Sequence, residues 1–301
     1  MINGIIIVSK EQEYTSHDVV AKMRGICRQK KIGHTGTLDP NATGVLPVCL
    51  GNATKLCDML TDHDKEYIAE FELGKISDTL DIWGEVTVTD ADVSLLTEET
   101  VKQVIYSMEG DQMQVPPMYS AKKIDGKKLY ELARAGIEVE RKAVPIHVSE
   151  MEILEMALPK VVIRVACSKG TYIRSICADI GEKLGCGAVM TALERTKAGM
   201  FLKENSYSLA QIQTLRDENR LEEIVIPVET CFEQYERILV KPFAEKMLKN
   251  GNELHYDMLT KIPTTEKCRI CDAKGQFYGV FLAWNDKKTV KPWKMFLPEE
   301  G

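Results

Sequence analysis

The run Gly33-His34-Thr35-Gly36-Thr37-Leu38-Asp39-Pro40-Asn41-Ala42-Thr43-Gly44 separates a basic helical segment from an apolar one and has the composition of neither. It carries one carboxylate, one imidazole, three threonine hydroxyls and three glycines. Pro40 fixes its own φ and disfavours the helical region for Asp39, so the carboxylate is presented from an extended or turn backbone. The glycines let that backbone pass close to a ligand. Taken alone, the run fits a plain surface turn as well as a site. No Gly-Lys-Ser/Thr ending follows the glycines, which speaks against a phosphate-cradling P-loop, and their spacing is wrong for a dinucleotide fingerprint.

On the N-terminal side, Met1–Lys10 contains an apolar run too short and too poorly flanked for a signal peptide, and it reads as a buried strand. Residues 16–31 read as a helix with Ser16 as N-cap and Val19, Val20, Met23, Ile26 and Cys27 at helical spacing. Its basic end complements the helix dipole and aims positive charge at the glycine-containing run. On the other side, Val45–Gly51 is a short buried strand or turn and Ala53–Leu60 a short helix. Tyr67, Ala69, Phe71 and Leu73 alternate with more polar residues, which predicts a half-exposed strand with Tyr67 at its mouth.

Further along, Thr97 caps a helix whose face is Val101, Val104, Ile105 and Met108. Pro116-Pro117 breaks the chain, and Lys127–Ala135 reads as a helix ending at Gly136. Val161–Cys167 alternates as a strand, after which Thr171 can cap a helix with Tyr172, Ile176 and Ile180 on one face. Arg174 falls in the first turn of that helix, where the dipole costs a cation about 0.3–1 kcal/mol. A buried anion nearby would account for it. A short helix near Ser208–Arg220 follows. From about Arg237 the texture changes to short strands, Ile238–Val240, Cys268–Ile270, Gly279–Leu282 and Met295–Leu297, which reads as a small all-β module.

A chain of 301 residues, 44% hydrophobic and 28% charged, can bury a real core and suits two domains. No apolar segment is long enough to span a membrane, so a soluble, cytoplasmic protein is expected. Nine scattered cysteines make no disulfide framework. Cys268 and Cys271 have metal-like spacing but sit in a strand-like stretch that turns positions three apart to opposite faces, so no metal site is assigned. The net charge of −6 hides two basic stripes. One is Lys22, Arg24, Arg28, Lys30 and Lys31, and the other is Lys122, Lys123, Lys127, Lys128 and Arg134, interrupted by Asp125 and Glu131. Both suit local binding of a phosphate backbone, and both also fit solvated helix faces.

Asp39, Tyr67, Tyr172, Arg174 and the basic stripes together form a coherent set for acting on nucleic acid: a carboxylate nucleophile, an arginine to keep it ionised, and aromatics to hold a planar base. At this level the chain resembles a known family. Gly33–Pro40 with Thr43–Pro47 resembles the catalytic-aspartate motif of the TruB family of tRNA pseudouridine synthases. The likeness continues, in the family's order, through Lys65-Glu66-Tyr67, Ser77–Asp81, Met118–Lys123, Lys169–Arg174 and Leu193-Glu194-Arg195.

The resemblance implies an α+β catalytic domain over residues 1–235, a mixed, largely antiparallel sheet flanked by helices in the pseudouridine synthase fold. It implies a small β-barrel-like PUA RNA-binding domain over residues 236–301. The implied reaction is isomerisation of the T-loop uridine at tRNA position 55 to pseudouridine, on a base flipped out of its stack, with the tRNA T-arm stem-loop as partner. No cofactor or metal is implied, and nothing demands more than a monomer. A catalytically silent tRNA-binding or folding factor is the alternative. By the same resemblance Asp39 is the nucleophile, Tyr67 packs on the target base and Arg174 is the salt-bridge partner of Asp39. His34 fills the space left by the flipped nucleotide, Tyr172 packs by the base, Leu193 lines the pocket, and Asp81 and Lys122 join the substrate-binding set. Three positions depart from the family pattern: Glu11 where proline usually follows the lysine, Glu194 where a second arginine is frequent, and Trp83 where an acidic residue is common. His17, His63, His147 and His255 match no motif and read as surface or structural histidines.

Overall fold

The computed structural model describes residues 1–124 and 126–297; Asp125 and the last four residues of the expected C-terminal module lie outside them. The larger sheet is nine-stranded among the described residues. Its strands are β1 (Gly4–Lys10), β2 (Ile32–His34), β3 (Thr43–Leu50), β4 (Lys65–Leu73), β5 (Gly110–Gln114), β6 (Val144–Ala157), β7 (Lys160–Cys167), β8 (Ala188–Ala198) and β9 (Phe201–Leu202). They run in the order β1-β3-β8-β4-β7-β6-β5, with β2 added to β3 and β9 to β8. The β3–β8 pair is parallel, through Thr43↔Glu194 and Gly44↔Arg195, and its neighbours are antiparallel. The sheet is therefore mixed and largely antiparallel, as expected.

The unbroken apolar run of β1 has a physical reason. Ile5 and Ile7 face one core while Ile6 and Val8 face another, so both sides of the strand are covered. On β4 the alternation is real: Tyr67, Ala69, Phe71 and Leu73 are buried, whereas Glu66 and Glu70 on the other face accept hydrogen bonds from Thr196 and Thr191.

Helix α1 (Ser16–Cys27) is capped by Thr15, which shares a capping box with Asp18. That corrects the assignment of Ser16 as N-cap. Ser16 is buried, and its hydroxyl accepts from Leu38 N at 2.9 Å, beside Asp39. The helix also ends earlier than expected, at a left-handed Arg28 (φ 51°), because Lys30 and Lys31 already lead into β2. The expected helix Ala53–Leu60 is a 3-10 turn, Gly51–Leu56, running into helix α2 (Cys57–Thr61). Helices α3 (Glu98–Tyr106) and α5 (Ile173–Lys183) bury Val101, Ile105, Ile176 and Ile180 on the β4–β7 face. Between them in sequence lies α4 (Leu129–Arg134), and α6 (Leu209–Asp217), capped by Ser208, contributes Ile212 to the core under α1.

The C-terminal strands β10 (Glu236–Leu239), β11 (Leu254–His255), β12 (Lys267–Cys271), β13 (Phe277–Trp284) and β14 (Thr289–Met295) form a second sheet in the order β10-β12-β13-β14-β11. Cys268 and Cys271 are both buried on β12. The expected strand Met295–Leu297 ends at Met295, because Phe296 turns into the core that contains Ile5 and Phe232. Its ring lies 5.7 Å from that of Phe232 and 5.9 Å from that of Phe277. Lys55 donates to Met295 O at 2.9 Å, so the small sheet is joined to the large one by a shared core as well as by the chain.

Candidate active site

The chain leaves β2 at His34 and re-enters the sheet at Thr43, and its crossing carries Asp39. The crossing is held by groups from three directions. Ser16 bonds Leu38, Lys10 Nζ donates to Pro40 O at 2.8 Å, and Arg195 donates to Gly36 O at 3.2 Å and Val45 O at 2.7 Å. Gly44, at φ +98°, has no room for a Cβ, which would stand 2.2 Å from Arg195 O. Here the glycine admits neighbouring protein backbone, where the sequence suggested clearance for a ligand.

With the backbone so anchored, the Asp39 carboxylate is free to meet Arg174, whose Nε lies 2.9 Å from Asp39 Oδ2. Arg174 is 4% exposed and stands in the first turn of α5. Its Nη1 donates to Thr79 O at 2.8 Å and lies 3.7 Å from Asp81 Oδ2, while Nη2 donates to Tyr119 O at 2.9 Å. Two carboxylates and two carbonyls thus surround a buried cation, and they outweigh its unfavourable place on the dipole. Thr171, expected to cap α5, bonds Ser168 O instead. The cap position belongs to Tyr172, whose N–H donates to Gln114 Oε1 at 2.8 Å and whose carbonyl accepts from Gln114 Nε2 at 3.0 Å.

Asp39, Tyr67, Lys122, Tyr172, Arg174 and Leu193 line one cavity of about 560 Å³. Six of the eight residues named from sequence therefore converge. Asp81 stands behind Arg174, fixed by bonds from Thr79 Oγ1 at 2.7 Å and Trp83 N at 3.1 Å. His34 stands apart, packed edge-on against His17 with ring centroids 5.6 Å apart. Directly after Lys122, Lys123–Ile124 and Lys127–Lys128 form a two-stranded ribbon. Lys128 and Arg134 flank the Tyr130 ring at 5.3 and 5.5 Å.

Burial pushes the Asp39 carboxyl above its ordinary range; Arg174 and Lys10 oppose that shift, and Asp81 adds to it. The carboxylate side chain nevertheless keeps 42% of its surface open, so it is both perturbed and reachable. Burial also raises the Tyr67 hydroxyl, against the pull of Arg195. It lowers Lys10 and Lys65 to about 8 each, with Arg195 contributing to both.

Three residues of this site went unassigned in the sequence: Lys10, Lys65 and Arg195, which are 1%, 7% and 1% exposed. A signal existed for two of them. Lys65 shares a strand face with Tyr67, and Arg195 with Leu193, by the two-residue period of a strand.

Residues 24–173 match the family model described as TruB family pseudouridylate synthase (N terminal domain). Residues 174–233 match the tRNA pseudouridylate synthase B C-terminal domain. The chain is 48% identical to tRNA pseudouridine synthase B of Clostridium tetani, over 89% of this chain and 92% of that protein. It is 46% identical to the protein of that name from Lachnoclostridium phytofermentans, over 98% of this chain and all of that one. Among solved structures, a chain of a Cbf5-Nop10-Gar1 complex superimposes with a TM-score of 0.72 at 28% identity, covering 98% of this chain and 85% of that one. A chain of an H/ACA RNP bound to a substrate RNA containing 2′-deoxyuridine gives 0.70 at 26%, covering 99% and 86%. With the pseudouridine synthase fold thus shared and both family models matched in sequence order, the chain belongs to the TruB family of tRNA pseudouridine synthases.

Proposed function

We propose that this protein isomerises the T-loop uridine at tRNA position 55 to pseudouridine, with Asp39 as the nucleophile. The N1–C1′ bond breaks, the uracil turns within the site, a C5–C1′ bond forms, and C5 gives up its hydrogen while N1 gains one. The step is redox-neutral and hydrolyses nothing, so the residues present suffice. The observation that carries the reading is the Asp39–Arg174 pair at 2.9 Å inside the cavity that Tyr67, Tyr172 and Leu193 line. Arg174 opposes protonation of the carboxylate as the RNA's phosphates approach. Tyr67 packs on the flipped base, and such stacking returns about 1–3 kcal/mol toward a flipping cost of a few. Tyr172 and Leu193 complete the pocket, Asp81 orients Arg174, and Lys122 with the basic ribbon takes the RNA backbone. His34, outside the cavity, fills the space that the flipped nucleotide leaves.

Residues 1–235 serve as the catalytic unit and 236–301 as a PUA-like RNA-binding unit. The separate five-stranded sheet supports this division, as do exposed Trp284 and Trp293 with Lys287, Lys291 and Lys267 over their rings. No helix of the described residues is long and apolar enough to cross a membrane; we place the enzyme in the cytoplasm, as a monomer, with tRNA. The test is release of the C5 hydrogen from labelled uridine in a T-arm stem-loop, wild type against Asp39→Asn. Release by wild type alone is expected. Tight binding without release by wild type would mark a silent tRNA-binding factor instead.

A further inference from the structure

Arg195 heads the fully buried side chains by volume. Arg174 is met by two carboxylates, whereas the Arg195 guanidinium donates to two carbonyl oxygens, those of Gly36 and Val45. Gly36 precedes Asp39 and Val45 follows it, so one guanidinium fastens both ends of the segment that carries the carboxylate. The fork of an arginine suits two acceptors at once, which a lysine ammonium on a single flexible stem does not reproduce. The backbone of Arg195 contributes as well. It pairs with Gly44 on one side and with Tyr67 on the other, and the strand is irregular directly after the Tyr67 pair. A buried cation with no salt-bridged carboxylate among the described residues is costly to keep, and apolar side chains would fill the same space. Its field is felt on both sides of that segment, by Lys10, Lys65, His34 and the Tyr67 hydroxyl.

We propose that Arg195 is a positioning residue for the isomerisation: it sets Asp39 and Tyr67 relative to each other, and turns an unneutralised positive charge on the base held between them. This rests on the reading of the site given above. At 1% exposure Arg195 does not reach an RNA phosphate, so its contribution belongs to the rate and not to RNA binding.

The test uses the full chain and the T-arm stem-loop, with single-turnover hydrogen release, RNA affinity and thermal melting measured on Arg195→Lys and Arg195→Gln. Both variants should bind with Kd within about threefold of wild type, because phosphate contacts carry affinity. Arg195→Gln should lose about a hundredfold in rate, the scale of a small misplacement of reacting groups. Arg195→Lys, which keeps the charge and loses the fork, should recover part of that loss and provides a second folded variant. Two results would overturn the proposal: rates per folded molecule within about threefold of wild type in both variants, which would leave a purely structural arginine, or affinity and rate falling together, which would mean direct RNA contact. Failure of the wild type to release hydrogen is a different result and would overturn the reaction assignment.

Discussion

Replacing Arg174 by methionine removes the cation while keeping most of the side-chain length. The loss can be sized from its surroundings. Thr79 O and Tyr119 O, at 2.8 and 2.9 Å, lose a charged donor, and Asp39 and Asp81 are left facing each other without the guanidinium between them. Removing one partner of a buried ion pair costs about 3–5 kcal/mol, and the hydrogen bonds are part of that sum because neighbouring terms do not add. Asp39 keeps 42% of its side-chain surface open and can be hydrated, so the lower end, about 3 kcal/mol, is expected. That corresponds to a fall in Tm of about 5 °C for a chain of 301 residues. The pH effect has a definite sign. Burial and Asp81 raise the Asp39 carboxyl and Arg174 holds it down, so without Arg174 the carboxyl rises further. A reaction that needs ionised Asp39 loses rate as pH falls through that pKa, so the acid limb of the rate profile should move to higher pH. Single-turnover hydrogen release from pH 5 to 9, with thermal melting alongside, measures both. A variant that melts with wild type, or whose acid limb stays in place or moves to lower pH, would refute the reasoning.

Asp39→Asn should abolish hydrogen release while RNA affinity stays within about threefold, since phosphates and stacking supply the binding. Tyr67→Ala should lose far more rate than Tyr67→Phe, and about 3–5 kcal/mol of stability from the emptied core position; hydrogen release equal to wild type in the alanine variant would remove Tyr67 from the site. Deleting residues after 235 should weaken T-arm binding and also lower Tm, because Phe232 and Ile5 lose Phe296 and Val280. A truncation that is dead yet binds tightly argues against the binding role, and an unchanged Tm argues against the shared core.

Local pattern in the chain was enough to name most elements and half of the chemistry. Alternation marked β4 and β7, a capping threonine marked α3, and Pro40 beside Asp39 between glycines marked an irregular segment with a carboxylate. These features depend on neighbours a few residues apart, and the ordered family motifs did the rest for Asp39, Tyr67 and Arg174. What only the tertiary structure decided is which distant groups meet. The anion that justifies Arg174 in a first helical turn is Asp39, brought to it by the parallel step between β3 and β8 and the placement of α5. Ser16 looked like a cap and became an anchor for Leu38. His34 lay in the motif and ended beside His17, away from the cavity. Lys10, Lys65 and Arg195 carried no assigned role in the sequence, yet the sheet closes over them and gives them carbonyl partners. The physical reason is common to all of these: periodicity says which face a side chain takes, whereas register and crossing connections, set by the whole chain, say what that face meets.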